Sequence, residues 1–111
     1  MQVPEDGCLL RIFIGESDRY GHHPLYEAIV MKAREAGLAG ATVTRGVMGF
    51  GKHSILHTAK ILRLSEDLPM VVEIADSPEQ IERFVPLLAE MIGDGLVTLE
   101  KVRVIHYKGK V

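Results

Sequence analysis

Three features of the sequence predict an α+β fold: two segments with helix start and stop signals, β-prone runs before, between and after them, and no repeat, linker or low-complexity stretch. The resulting order is strand, helix, strand, strand, helix, strand. It predicts a ferredoxin-like βαββαβ sandwich, in which two helices cover one face of an antiparallel sheet. A chain of 111 residues is expected to form a single domain, residues 1–111, around one core.

The first strand is expected over "CLLRIFIGE" (8–16), rich in β-formers and bounded by Gly7 and Gly15. A helix follows in "DRYGHHPLYEAIVMKAREAGLAG". Pro24 fits a first helical position, Leu25, Ile29, Ala33 and Ala36 recur at spacings of three and four, and Gly37 supplies a stop. "ATVTR" (41–45) alternates as a second strand, and another β-prone run lies around "AKILRLS" (59–65). "EDLP" (66–69) turns the chain into a strand over "MVVEIAD" (70–76). In "SPEQIERFVPLLAEMIG", Ser77 should cap the helix, Pro78 should open its first turn and Gln80 should complete a capping box. Ile81, Phe84, Val85, Leu88 and Met91 form its apolar stripe, and Pro86 should bend or loosen it. "GDG" (93–95) ends the helix, and "LVTLEKVRVIHY" (96–107) returns as one or two short strands. The sheet face away from the helices, expected to be lined by residues such as Ile12, Val43 and Ile61, would be a liability in water. That predicts homo-oligomerisation through it.

Apolar residues make up 47% of the chain and charged residues 25%, with no bilayer-length apolar run and no basic-then-apolar leader, so a cytoplasmic protein is expected. Cys8 is the one cysteine; it cannot form an internal disulfide and reads as a small buried residue at the start of a strand. The net charge of −2 conceals a segregation of signs. No acid lies between Glu35 and Glu66, a stretch holding Arg45, Lys52, His53, His57, Lys60 and Arg63. A second acid-free stretch after Glu100 holds Lys101, Arg103, His106, Lys108 and Lys110. Such segregation favours an anionic ligand at the basic zones, a solvated basic hairpin being the plain alternative. No nucleic-acid partner is expected.

Within the first basic zone, "TRGVMGFGKH" (44–53) spaces glycines at 46, 49 and 51 as G-x-x-G-x-G, which is not the dinucleotide fingerprint and opens no helix. Glycines let backbone N–H groups approach a ligand, and Lys52 lies beside them; simple turns give the same pattern. Gly93 and Gly95 around Asp94 read as a helix C-cap that also leaves N–H groups free. Were Arg103, His106 and Lys108 on the adjacent strand, one cleft would hold backbone donors and cations together, as a phosphate needs. His22 and His23 precede Pro24 and shape a helix entry, whereas His53 and His57 have a spacing that suits a metal only on a helix, so no metal site is expected. Ser17, Ser54 and Cys8 lack a recognisable base, and Glu66 and Asp67 sit in a turn, which argues against an enzyme. Met31, Met48, Met70 and Met91 read as core or loop filling.

"GLAGATVTRGVMGFG" with "GDG" and a short C-terminal strand resembles the PII nitrogen-regulatory signal-transduction proteins. Over nearly the whole chain, "LLRIFIGESDRYGHHPLYEAIVMKAREAGLAGATVTRGVMGFG", "DLPMVVEIADS" and "GLVTLEKVRVIHY" more closely resemble their PII-like relatives, domain of unknown function 190. The resemblance implies a homotrimer that holds an adenine nucleotide in clefts between subunits, with a mobile loop after the second strand and no tightly bound cofactor. It implies roles for Gly49, Phe50, Gly51 and Lys52 at the loop base, for Gly93, Asp94 and Gly95 at the phosphate-side turn, and for Arg103, His106 and Lys108 near the last strand. PII proteins carry a lysine directly after G-D-G where Leu96 stands here, and the missing cation implies AMP or ADP in preference to ATP. The loop lacks the tyrosine that uridylylated PII proteins modify. A membrane transporter or channel is implied as the regulatory target. The alternative is a divalent-metal-binding trimer resembling the cation-tolerance proteins, which share the fold.

Overall fold

The computed structural model describes residues 6–50, 57–58 (backbone only) and 67–108. The elements are β1 (Asp6–Gly15), a small hairpin of β2 (Arg19–Tyr20) and β3 (His23–Pro24), α1 (Leu25–Glu35), β4 (Thr42–Arg45), β5 (Met48–Gly49), β6 (His57–Thr58), β7 (Pro69–Asp76), α2 (Pro78–Met91) and β8 (Leu96–Arg103). The main sheet has the order β4-β7-β1-β8 with every neighbouring pair antiparallel, which is the ferredoxin-like arrangement expected. The β-prone run 59–65 lies outside the described residues. Beyond β4, Met48 and Gly49 pair with Thr58 and His57, so the chain leaves and returns as a short ribbon.

Side chains alternate across a strand, and the core follows from that period. Cys8, Leu10, Ile12 and Ile14 of β1 and Met70, Val72 and Ile74 of β7 turn to the helix layer, where Ile29 of α1 and Ile81, Phe84 and Leu88 of α2 meet them. Cys8 is buried near the start of β1, as expected. The expected lining of the open face is corrected here: Ile12 is buried beneath the helices, Val43 pairs with Val72 and packs against the same core, and Ile61 lies outside the described residues. The opposite parity faces outward, with Leu9, Arg11 and Phe13 on β1 and Val71 and Glu73 on β7. At its centre the Arg11 Nε donates to the Glu73 carboxylate at 2.9 Å and Nη1 lies 2.8 Å from Glu100. The hydrogen bond to Glu73 and the nearby charge of Glu100 raise the Arg11 pKa above its ordinary value.

The helix signals resolve locally. Pro24 is the N-cap of α1 rather than its first residue, Leu25 N–H donates to the Asp18 carbonyl at 2.7 Å, and Gly37 ends the turn at a φ of +77° that favours glycine. Ser77 caps α2, its hydroxyl accepting from Gln80 N–H at 3.3 Å, while the Gln80 side-chain amide donates to the Gly37 carbonyl at 3.4 Å. Val85 falls outside the buried stripe. Pro86 does not end α2, which runs on to Met91; it lies on the exposed side with Glu82, to whose carbonyl it has no N–H to donate. β8 is one strand, and residues 104–108 leave the sheet without regular structure.

Candidate functional site

The antiparallel registers fix which sheet end each segment occupies. Gly15 pairs with Pro69, Met70 with Arg45, and Phe13 with Leu96, so the end of β1, the start of β7, the end of β4 and the start of β8 share one end. Both glycine segments sit there. Gly46 N–H donates to the Pro69 carbonyl at 2.7 Å, and a Cβ on Gly46 would come within 2.7 Å of Pro69 Cγ, so the loop root packs on Pro69 only with a bare α-carbon. Gly49 follows in β5 and Phe50 is exposed beside it. On the other side of β1, Gly93, Asp94 and Gly95 turn α2 into β8, all three exposed. A Cβ on Gly95 would meet the Phe13 carbonyl at 3.1 Å. Gly51 and Lys52 lie outside the described residues, as do His53, Lys60 and Arg63.

The same end carries a set of acids that sequence reasoning left without a role. Asp67 accepts from Ser17 N–H at 2.8 Å, Asp18 accepts from Gly15 N–H at 2.9 Å, and the Glu16 carboxylate pairs with Arg45. These contacts brace the β1–α1 connection against the strand that leads into the loop. Their signal in the sequence is weak, because Asp67 and Ser17 are remote along the chain.

The cations of the second basic zone are elsewhere. Arg103 pairs with Asp6 at the opposite end of the sheet, and His106 and Lys108 follow it, both exposed. Eight residues of strand, about 23 Å at 3.3 Å per residue, separate Leu96 from Arg103. Within one protomer the structure therefore does not bring Arg103, His106 and Lys108 to the turn at 93–95. Arg103 ends the strand that starts at that turn, and His106 and Lys108 come after it, so the extended strand carries all three away from the turn.

His22 and His23 shape the entry to α1, as expected: the His22 carbonyl accepts from Arg19 at 2.7 Å and His23 Nδ1 stands 3.9 Å from Glu27. Among the described residues no group of three or more His, Cys, Asp or Glu is placed to hold a metal, and no helix is long and apolar enough to cross a membrane.

The model of the DUF190 family, described as uncharacterized ACR, matches residues 7–104. A UPF0166 protein of Aquifex aeolicus is 44% identical over 100 residues, covering 88% of this chain and 92% of its own length. A UPF0166 protein of Methanocaldococcus jannaschii is 34% identical over 103 residues, covering 92% and 93%. Two solved structures share the fold. CPII from Thiomonas intermedia K12, a nitrogen regulatory PII-like protein bound to ADP, AMP and bicarbonate, superposes with a TM-score of 0.60 at 18% identity, covering 89% of this chain and 88% of its own. A protein from Thermus thermophilus described as a putative PII-like signaling protein superposes with a TM-score of 0.64 at 19% identity, covering 90% of each. At these identities the two likenesses carry the fold.

Proposed function

The chain belongs to the DUF190 family, and on that premise we propose that it is a non-catalytic, PII-like signalling protein that binds an adenine nucleotide between the subunits of a homotrimer. The observation that carries this reading is the shared position of Gly46, Gly49 and the Gly93–Gly95 turn at one end of the sheet, flanking β1 and β7. The exposed backbone of the 93–95 turn suits phosphoryl oxygens, while the Gly46 N–H is taken by the Pro69 carbonyl and fixes the loop root beside it. Arg103, His106 and Lys108 lie at and beyond the far end of β8, so a neighbouring copy has to bring these cations to the site. The ligand class is supported by CPII, which was solved with ADP and AMP. Leu96 offers no charge at the turn, so AMP and ADP are favoured over ATP. The segment leaving at Gly49 and returning at His57 is the element whose order the nucleotide changes, a way phosphate contacts commonly act. A membrane transporter or channel is the target class this reading carries.

Calorimetric titration of AMP, ADP and ATP, with light scattering to establish the mass, tests it. The expected result is a trimer that binds AMP and ADP more tightly than ATP. An intact trimer that takes up none of the three at millimolar concentration would overturn the reading. Lys52→Glu and Arg103→Glu should each weaken binding more than a charge reversal elsewhere on the surface.

A further inference from the structure

Beyond Arg103 the chain leaves β8 at one edge of the sheet and crosses beneath it. Val104 lies over Gly7 of β1, where a Cβ would come within 2.9 Å of Val104 Cγ2 and 3.2 Å of the Asp76 carbonyl; the bare α-carbon is what lets the chain pass. Three residues on, the Tyr107 hydroxyl donates to the Ala39 carbonyl at 3.2 Å, in the connection between α1 and β4. Residues 103–107 thus form a strap from the edge strand β8 to the α1–β4 connection.

The anchor of this strap is itself fixed. Ala39 N–H donates at 2.8 Å to Asp76, a carboxylate only 1% exposed whose other oxygen takes Ser77 N–H at 2.6 Å. Ala39 is therefore held at both of its backbone polar atoms, by Asp76 from within and by Tyr107 from outside. Burial does little to hold the strap: Ile105 is 92% exposed and His106 and Lys108 are exposed as well. Its described anchors are the contact of Val104 on Gly7 and the Tyr107 hydroxyl.

We propose that Tyr107 is a latch: its hydroxyl, bonded to Ala39, fixes residues 104–108 beneath the sheet and so presents Arg103, His106 and Lys108 as an ordered cationic edge to an anion. Tyr107 is a positioning residue that need not touch the ligand. Only the identity of the anion, an adenine nucleotide, rests on the function proposed above.

The test compares the full chain with Tyr107→Phe, which keeps the ring and removes the hydroxyl, and with Tyr20→Phe as an exposed control. Tyr107→Phe is expected to weaken ADP binding by about threefold to tenfold, the range for losing one hydrogen bond. Backbone order parameters at 104–108 should fall from the rigid range toward about 0.6, and Tyr20→Phe should change neither readout. Unchanged order at 104–108 in Tyr107→Phe overturns the latch. Loosened residues with unchanged ADP affinity overturn its role in presenting the cations. If the unaltered protein binds no adenine nucleotide, the proposed function fails instead, and the order parameters alone then decide the latch.

Discussion

Gly93 and Gly95 stand in one turn yet answer to different demands. A Cβ on Gly95 would press on the Phe13 carbonyl and on the Ile14 and Ile92 side chains at 3.1 to 3.2 Å, whereas one on Gly93 would meet nothing within 4 Å. Gly95→Ala should therefore lower the Tm by several degrees, about what 1 kcal/mol does to a domain of this size. Gly93→Ala should leave the Tm alone but weaken ADP binding, since open space over its backbone is what a phosphate would use. Equal losses of Tm in the two variants would remove the distinction. Phe84 lies at the other extreme, fully buried between α2 and the sheet; Phe84→Ala should cost about 3–5 kcal/mol, read as a lower denaturant midpoint. Arg11 sets a pH expectation. Its folded pKa is raised, so the stabilisation it gives is complete below the ordinary arginine range and is lost only as pH rises through the higher folded value. Between about pH 6 and about pH 9 its contribution should be constant, as denaturation curves for the protein and Arg11→Met would show by a constant difference.

Among the elements, the helices were legible because their signals are local. Ser77, Pro78 and the spacing of Ile81, Phe84, Leu88 and Met91 lie within a few turns of one another, and the Ser77 cap forms as expected, while the Ser77 N–H donates to Asp76. Ser77→Ala should cost about 1 kcal/mol, measurable by chemical denaturation; no loss would mean that the bond to Gln80 contributes nothing. The face of β1 was not legible. "LLRIFI" is apolar on both parities, Leu10, Ile12 and Ile14 on one side and Leu9 and Phe13 on the other, so the pattern offers no choice. The choice is made by β7 and the helices, remote in the chain, and by the joint pairing of Arg11 with Glu73 and Glu100 on the outer side. The strap failed to show for a related reason: "RVIHY" alternates like a strand, and what marks its departure from the sheet, the contact of Val104 with Gly7 and the bond of Tyr107 to Ala39, involves residues remote in the chain.

At the scale of the whole molecule, the glycine segments could be read from the sequence but their relation to the basic tail could not, because antiparallel pairing sends the two ends of β8 to opposite ends of the sheet. That separation makes assembly and ligand binding one question. The outward sheet face combines an apolar end, where Phe13 and Leu96 lie opposite each other, with an ion-paired triad in which Arg11 meets both Glu73 and Glu100 and one negative charge is left over. Such a face can be covered by another copy without stranding a charge that lacks an ion-pair partner. Phe13→Glu places one there. Phe13 is 37% exposed in the isolated protomer, so the fold should tolerate the change, but the proposed trimer should fall to a monomer by light scattering. ADP binding should vanish with it, because the monomer holds the turn at 93–95 and the cations near Arg103 too far apart to share one phosphate group. Leu87→Glu on the outer side of α2, at 39% exposure, makes the same chemical change away from that face and should leave both mass and affinity intact. A Phe13→Glu trimer of full mass would place the interface elsewhere. A monomer that still binds ADP would show that one protomer suffices, and the requirement for a neighbour's cations would be wrong.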